Sequence, residues 1–462
     1  MYEFNLIPKD VPRIHTKYRN IQTKLPVPES LEVINRSIKY EPKSMCHNVP
    51  CVWDKAIDFQ VYDASNNVWI DFSSSIFINN IGHGNPDIVD AIDKMIQKPL
   101  LSSYSYPTEI RSLLAEKLIN MTKSEGIEKV FLLSTGSETN EVSLKLARLY
   151  GKQQSENKNI VIGMDRSFHG KTLGSQMLTG REESKRWIGY QDPNIFYLSS
   201  PTDPFIQMED QDDETYGRNL FYDDIMKLQR KGVDIDNICA FFVESYLGFG
   251  AIFHLTGYIK AMREFADNIN ALIIMDEVQA FGYRTGKLFG YQHYGIKPDI
   301  ICCGKAISGS LPLSAVLTRS EIMDLDNGLS STHSGSPICC AAALANLNYM
   351  ENNISEEMIK LKEKIIIDTL NQWKQKYSDR VKSFHGHGMV FGIFIVKPNT
   401  EILDIDFVDR IVEKVFTKGV ILVRTGCGTI KLGMPLTITN DALIEGLGVI
   451  EESISELIEE GY

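Results

Sequence analysis

Residues 271–305 read ALIIMDEVQAFGYRTGKLFGYQHYGIKPDIICCGK. The segment opens with the apolar run Ala271-Leu272-Ile273-Ile274-Met275, which ends in Asp276-Glu277-Val278-Gln279. It closes with Ile300-Ile301-Cys302-Cys303, which ends in Gly304-Lys305. Short β-branched runs bounded by polar and glycine residues predict buried strands of a parallel sheet. In an open α/β sheet, ligands bind outside the carboxyl ends of the strands. Asp276 and Lys305 would both project there, from different strands. An amine and a carboxylate so placed suit pyridoxal phosphate: the lysine forms a Schiff base, and the aspartate keeps the ring nitrogen protonated. An isolated Asp and Lys would more simply be a surface salt bridge, so the rest of the chain must decide.

The length of 462 residues predicts two domains around a large core. Apolar content of 43% and charged content of 23% fit an ordinary globular protein. A net charge of −12 argues against a nucleic-acid surface. The eight cysteines include the adjacent pairs Cys302-Cys303 and Cys339-Cys340, and none has zinc-finger or C-x-x-C spacing. Buried thiols in a reducing compartment, and no metal site, are the expectation. The first twenty residues lack the apolar core of a signal peptide, and no run approaches a membrane span. The cytoplasm is the expected location.

Residues 1 to about 50 predict an extended arm with one short helix. Alternation over residues 56–72 predicts a hairpin turning at Ser65-Asn66-Asn67. Gly82-His83-Gly84-Asn85-Pro86 reads as a loop, with His83 more simply structural than catalytic. Lys129-Val130-Phe131-Leu132-Leu133 predicts a strand, and Ser134-Thr135-Gly136-Ser137 after it opens a helix. Free N–H groups and the helix dipole at such a turn can hold a phosphate. A plain helix cap is the alternative reading of the same residues. A strand at 160–164 leads to Phe168-His169-Gly170, where the aromatic ring could stack on a flat cofactor. The acidic run at 200–220 reads as a solvated loop. A strand at 238–243 ends in Glu244, and a helix covers 258–270. Beyond Lys305, a strand at 313–318 precedes Ser331-Thr332-His333-Ser334-Gly335-Ser336-Pro337 and an alanine-rich helix at 338–350. Charged helices at 355–378 and 405–418, strands at 388–396 and 419–424, and a helix at 441–459 predict a smaller α+β domain.

Together these motifs resemble the class III, 4-aminobutyrate-type aminotransferases of pyridoxal-phosphate fold type I. The resemblance spans about residues 56–439. It rests on Asp71-Phe72 with Gly82-His83, the Gly-Ser turn, Phe-His-Gly, Asp-Glu-Val-Gln with Gly-x-x-Arg-x-Gly, Gly-Lys, Thr-x-x-Gly-x-Pro and a late Pro-Leu-Thr. It implies an α/β fold: a large domain with a mostly parallel seven-stranded sheet flanked by helices, plus a smaller α+β domain from both chain ends. The expected divisions are 1–90 for the arm and part of the small domain, 91–349 for the cofactor-binding domain, and 350–462 for the C-terminal part of the small domain.

The implied roles follow residue by residue. Lys305 carries the cofactor and acts as base, and Asp276 serves the ring nitrogen. Val278 and Phe168 cover the two ring faces, and His169 belongs to the same cofactor shell. Gln279 bonds the phenolic oxygen, with Glu244 bracing it. Gly136 and Ser137 cradle the phosphate, and Thr332 reaches the phosphate of a neighbouring subunit, which implies a homodimer with shared active sites. Ile76, Tyr104 and Tyr106 line the substrate pocket. The reaction implied is ping-pong transfer from an amine or ω-amino acid to a keto acid. Racemisation, epimerisation or an aminomutase shift on the same scaffold is the alternative.

The chain departs from the family pattern twice. Five residues after the strand-end Glu244, where the family has a switching glutamate, stands Phe249. Four residues before Pro435, where the family has a carboxylate-gripping arginine, stands Lys431. Lysine offers a point charge where arginine offers a planar fork. A weaker hold on 2-oxoglutarate at that position is therefore expected, with Arg424 a candidate substitute.

Overall fold

The computed structural model describes residues 3–46 and 48–462. The chain divides into two compact units, residues 86–356 and residues 1–85 with 357–462.

Among the described residues of the larger unit, seven strands form one sheet. They are β1 (Lys129–Leu133), β2 (Ile160–Met164), β3 (Ile195–Leu198), β4 (Ile238–Glu244), β5 (Leu272–Asp276), β6 (Ile300–Cys303) and β7 (Ser314–Thr318). Their order across the sheet is β1-β7-β6-β5-β4-β2-β3. Only β7 runs against its neighbours. The sheet is therefore mostly parallel, as the apolar runs predicted. β4, β5, β6 and β7 are buried at every residue, which is why they lack polar alternation. Helix α1 (Gly136–Gln154) packs against the sheet, and α2 (Glu214–Arg230) packs against α3 (Thr256–Asn268). Gly151 permits the close approach of α1, because a Cβ there would lie 2.0 Å from the Lys158 carbonyl oxygen.

Two expectations need correction here. The acidic run is a loop only in part, since α2 begins at Glu214, capped by the Asp213 side chain. Acidic residues at a helix start favour the dipole, so the same charges that suggested solvated loop also initiate helix. The strand at Ile195–Leu198 was not foreseen; it is the sheet's edge, paired only with β2.

The smaller unit carries a six-stranded sheet, built mainly from the N-terminal part, and a four-stranded sheet from the C-terminal part. The predicted hairpin is three strands, Lys55–Ile57, Gln60–Tyr62 and Val68–Asp71. The expected strand at 419–424 divides. Val420–Ile421 pairs in parallel with Val68–Asp71, whereas Val423–Arg424 joins the other sheet beside Thr429–Leu432. His83 is buried, with Nε2 2.7 Å from Asp71 Oδ2 and Nδ1 2.6 Å from Asn79 Nδ2, which accounts for it structurally.

Ser74, Ser75, Ile76 and Phe77 all have positive φ, from 47° to 68°. A left-handed turn without glycine, holding a β-branched isoleucine, costs roughly 1–2 kcal/mol per residue. Its bonds offset that cost: Phe77 N–H donates to the Ser73 carbonyl at 3.1 Å, and Ile78 N–H to the Ser74 carbonyl at 2.9 Å. Ser74 Oγ donates to the Gly433 carbonyl at 2.6 Å. Gly433 leaves room for the Phe77 ring, which a Cβ there would meet at 1.7 Å. The turn presents Ile76, 46% exposed, at its surface.

Candidate active site

Parallel register sets Glu244, Asp276 and Cys302 side by side at the ends of β4, β5 and β6. Asp276 is 6% exposed and fully engaged. Its Oδ2 lies 2.8 Å from His169 Nδ1 and accepts from Asn140 Nδ2 at 2.8 Å, while Oδ1 accepts from the Val278 N–H at 3.0 Å. Asn140 also donates to the His169 carbonyl at 2.5 Å. The His169 ring packs edge-on to Phe242 at 4.8 Å, and its backbone N–H is held by Thr179 Oγ1 at 3.0 Å. His169 thus fixes Asp276 from behind. Asn140 shares that task, and sequence reasoning missed it. The signal was available, since Asn140 follows one helical turn after Gly136.

Lys305 begins a short 3-10 turn directly after β6, with φ 42°. Burial lowers its pKa, and the nearby carboxylates of Asp276 and Glu244 oppose that shift. A desolvated amine has a larger neutral, nucleophilic fraction. Glu244 is also buried; its Oε2 accepts from the Phe168 N–H at 2.8 Å and its Oε1 from the Gly248 N–H at 3.2 Å. A Cβ at Gly248 would meet Glu244 Oε1 at 2.8 Å and Gln279 Oε1 at 3.2 Å, so both side chains flank Gly248.

The turn before α1 carries the helix cap its sequence suggested. Thr135 and Glu138 form a capping box: Glu138 N–H donates to Thr135 Oγ1 at 3.3 Å, and Thr135 N–H to Glu138 Oε2 at 2.8 Å. That cap spends neither Gly136 nor Ser137, whose N–H groups have no acceptor among the described residues. Gly136 abuts Val278, where a Cβ would come 2.7 Å from Cγ1. Ser137 Oγ accepts from the Lys171 N–H at 3.3 Å and packs where a Cβ on Gly170 would strike it at 2.4 Å. Phe168 stays 38% exposed.

Glu277 had no role in the sequence reading. It is fully buried and holds the chain after β5 in place. Ser245 Oγ donates to Oε1, as does the Tyr291 N–H at 2.8 Å, and the Gly290 N–H donates to Oε2 at 2.7 Å. Burial pushes its pKa up to about 7 against those bonds.

The remaining expected residues make no hydrogen bond to Asp276, Lys305 or Glu244 among the described residues. Thr332 is exposed, with no hydrogen-bond partner among the described residues. Tyr104 has φ 48° and is 49% exposed; Tyr106 is more exposed still. Ile76 and Lys431 belong to the smaller unit. Lys431 is 2% exposed, with Nζ 4.6 Å from the centre of the Phe77 ring. Arg424, the suggested substitute, is ion-paired with Asp409. No cluster of potential metal ligands occurs among the described residues. A cavity of about 600 Å³ opens between α1 and residues 328–330, and none of the cofactor residues lines it.

A desolvated lysine, a donor-ringed buried aspartate and an open helix start fit a pyridoxal-phosphate enzyme of fold type I. The free N–H groups at Gly136 and Ser137 suit its phosphate, and the buried charge of Asp276 suits its ring nitrogen. The family model for class III aminotransferases matches residues 43–454, and the chain belongs to that family. It is a pyridoxal-phosphate-dependent aminotransferase. An acetylornithine aminotransferase from Clostridium acetobutylicum is 32% identical over 412 residues, 87% of this chain and 96% of that protein. A leucine/methionine racemase from Thermococcus litoralis is 30% identical over 443 residues, 93% of this chain and 96% of that one. The crystal structure of a taurine:2-oxoglutarate aminotransferase from Bifidobacterium kashiwanohense, bound to pyridoxal phosphate and glutamate, superposes with a TM-score of 0.83 at 26% identity. That match covers 93% of this chain and 98% of the other.

Proposed function

We propose that the enzyme transfers the amino group of an amine or ω-amino acid to a keto acid, with Lys305 as the covalent anchor. The observation that carries this reading is the pairing of a desolvated Lys305 with the Asp276–His169–Asn140 network. Bound pyridoxal phosphate supplies an electron sink for the carbon that loses its proton. Lys305 Nζ moves that proton, and Asp276 retains the proton on the ring nitrogen. Gly136 and Ser137 hold the phosphate through backbone N–H groups and a hydroxyl. Val278 and Phe168 would cover the bound ring and exclude water from it, and Gln279, beside Glu244, would help orient it.

The working form in this proposal is a homodimer in which Thr332 contributes to the partner subunit's phosphate site. Its exposed side chain supports this assignment. A cytoplasmic location is supported by the adjacent buried thiols, since all eight cysteines are unpaired. No described helix is long and apolar enough to cross a membrane. A half-reaction tests the chemistry. Holoenzyme mixed with the amino donor alone should accumulate the pyridoxamine form of the cofactor. Loss of the donor's optical activity without that accumulation would make the enzyme a racemase instead.

A further inference from the structure

His254 is fully buried in the larger unit, and no role described above uses it. The chain reaches it by doubling back. Past Glu244, residues Tyr246–Leu247 pair antiparallel with Ile252–Phe253, so His254 returns beside the end of β4. Its Nε2 lies 3.0 Å from the Glu244 carbonyl oxygen. A carbonyl only accepts, so Nε2 carries the proton and Nδ1 is left as an acceptor. Nδ1 is buried with no hydrogen-bond partner among the described residues. Burial lowers the pKa of the ring to about 4, so the ring is neutral at ordinary pH.

Tyr294 completes the arrangement. Its hydroxyl accepts from the His254 N–H at 3.0 Å and donates to the Ser245 carbonyl at 2.6 Å. Two ring donors thus hold two consecutive carbonyls, those of Glu244 and Ser245, where the chain leaves β4. The unpaired Nδ1 destabilises the fold, so what the ring contributes is the bond at its other nitrogen. That bond fixes the backbone from which the Glu244 carboxylate projects. The carboxylate accepts from the Phe168 and Gly248 N–H groups, as an ionised group does, and its charge opposes the effect of burial on Lys305. Glu244 in turn feels the charges of His169, Asp276 and Arg181, and Lys305 feels Asp276 besides Glu244.

We propose that His254 is a positioning residue: through its Nε2–H bond to the Glu244 carbonyl it holds the Glu244 carboxylate where its charge acts on Lys305. The inference rests on the reading of Lys305 as the covalent anchor and adds how the protonation of that nitrogen is set from behind the strand. Little water screens these buried groups, so a carboxylate that shifts away loses much of its hold on the cation. A negative charge favours the protonated nitrogen, and withdrawing it therefore lowers the nitrogen's pKa.

The test titrates the visible absorbance of the holoenzyme, whose midpoint reports the protonation of the Lys305 nitrogen in its bond to the cofactor. Glu244→Gln should lower that midpoint by about one pH unit, the effect of removing one nearby opposite charge. His254→Leu, which fills the space without a donor, should lower it by at least about half as much. His254→Gln, whose amide can reach the same carbonyl, should restore the parent value. On the Glu244→Gln background, His254→Leu should add nothing, because its effect runs through the carboxylate. Tyr294→Phe keeps a ring, removes both hydroxyl bonds and should shift the midpoint in the same direction. An unmoved midpoint in His254→Leu, or in Tyr294→Phe should His254→Leu fail to fold, overturns the proposal. So does a His254→Gln variant that behaves like His254→Leu, or a His254→Leu shift that persists undiminished on the Glu244→Gln background. A visible band that survives in Lys305→Ala would instead reject Lys305 as the anchor, and this proposal with it.

Discussion

Asp276 works because three donors address it. His169, Asn140 and the Val278 N–H stabilise its charge at a 6%-exposed position. Asp276→Asn keeps the shape and loses that charge. The cofactor should still bind, while the donor half-reaction slows by at least about a hundredfold, in the range of a lost electrostatic contact in a dry site. Stopped-flow absorbance would measure it, and a near-normal rate would mean another group serves the ring nitrogen. Next to it, Glu277 has its pKa raised by burial to about 7. A folded-state value above the unfolded one means that the native state holds the extra proton. The associated stability is therefore full below about pH 4.5, the ordinary value of a glutamic acid, and is lost as pH rises through 7. Thermal melts should show the parent losing stability over that window, by roughly 3 kcal/mol. Glu277→Gln should flatten the profile.

At the scale of elements, much of the architecture was written in composition. Ile300-Ile301-Cys302-Cys303 and the run ending in Asp276 are buried on both faces, so their uninterrupted apolar character identified them and their strand ends located Asp276 and Lys305. The left-handed turn Ser74–Phe77 was illegible, because serine, isoleucine and phenylalanine do not advertise positive φ; the turn exists through tertiary bonds such as Ser74 to Gly433. The capping box at α1 was legible only as a choice between cap and phosphate turn. The structure shows the cap, made by Thr135 and Glu138, and the phosphate role of Gly136 and Ser137 belongs to the proposal. Gly136→Ala would drive a Cβ to 2.7 Å from Val278. Overpacking there costs about 1–3 kcal/mol, so absorbance titration should find cofactor affinity reduced about tenfold or more. Unchanged affinity would place the phosphate elsewhere.

At the scale of the molecule, the family match over residues 43–454 defines the chemistry, and assembly is the proposal built on it. If Thr332 serves the partner's phosphate, Lys305→Ala and Thr332→Ala subunits together should form hybrids with one site intact in both contributions. Partial activity should return on mixing, as measured by steady-state turnover of the mixture against each variant alone. A dilute monomer that keeps full activity would contradict shared sites.

The central claim is that the end of β6 presents the lysine that carries the cofactor. Borohydride reduction of the yellow holoenzyme, followed by proteolysis and mass mapping of the cofactor-bearing peptide, tests it most directly. The account predicts a single adduct on Lys305, absent from Lys305→Ala; an adduct on Lys287 or Lys297 instead would contradict it.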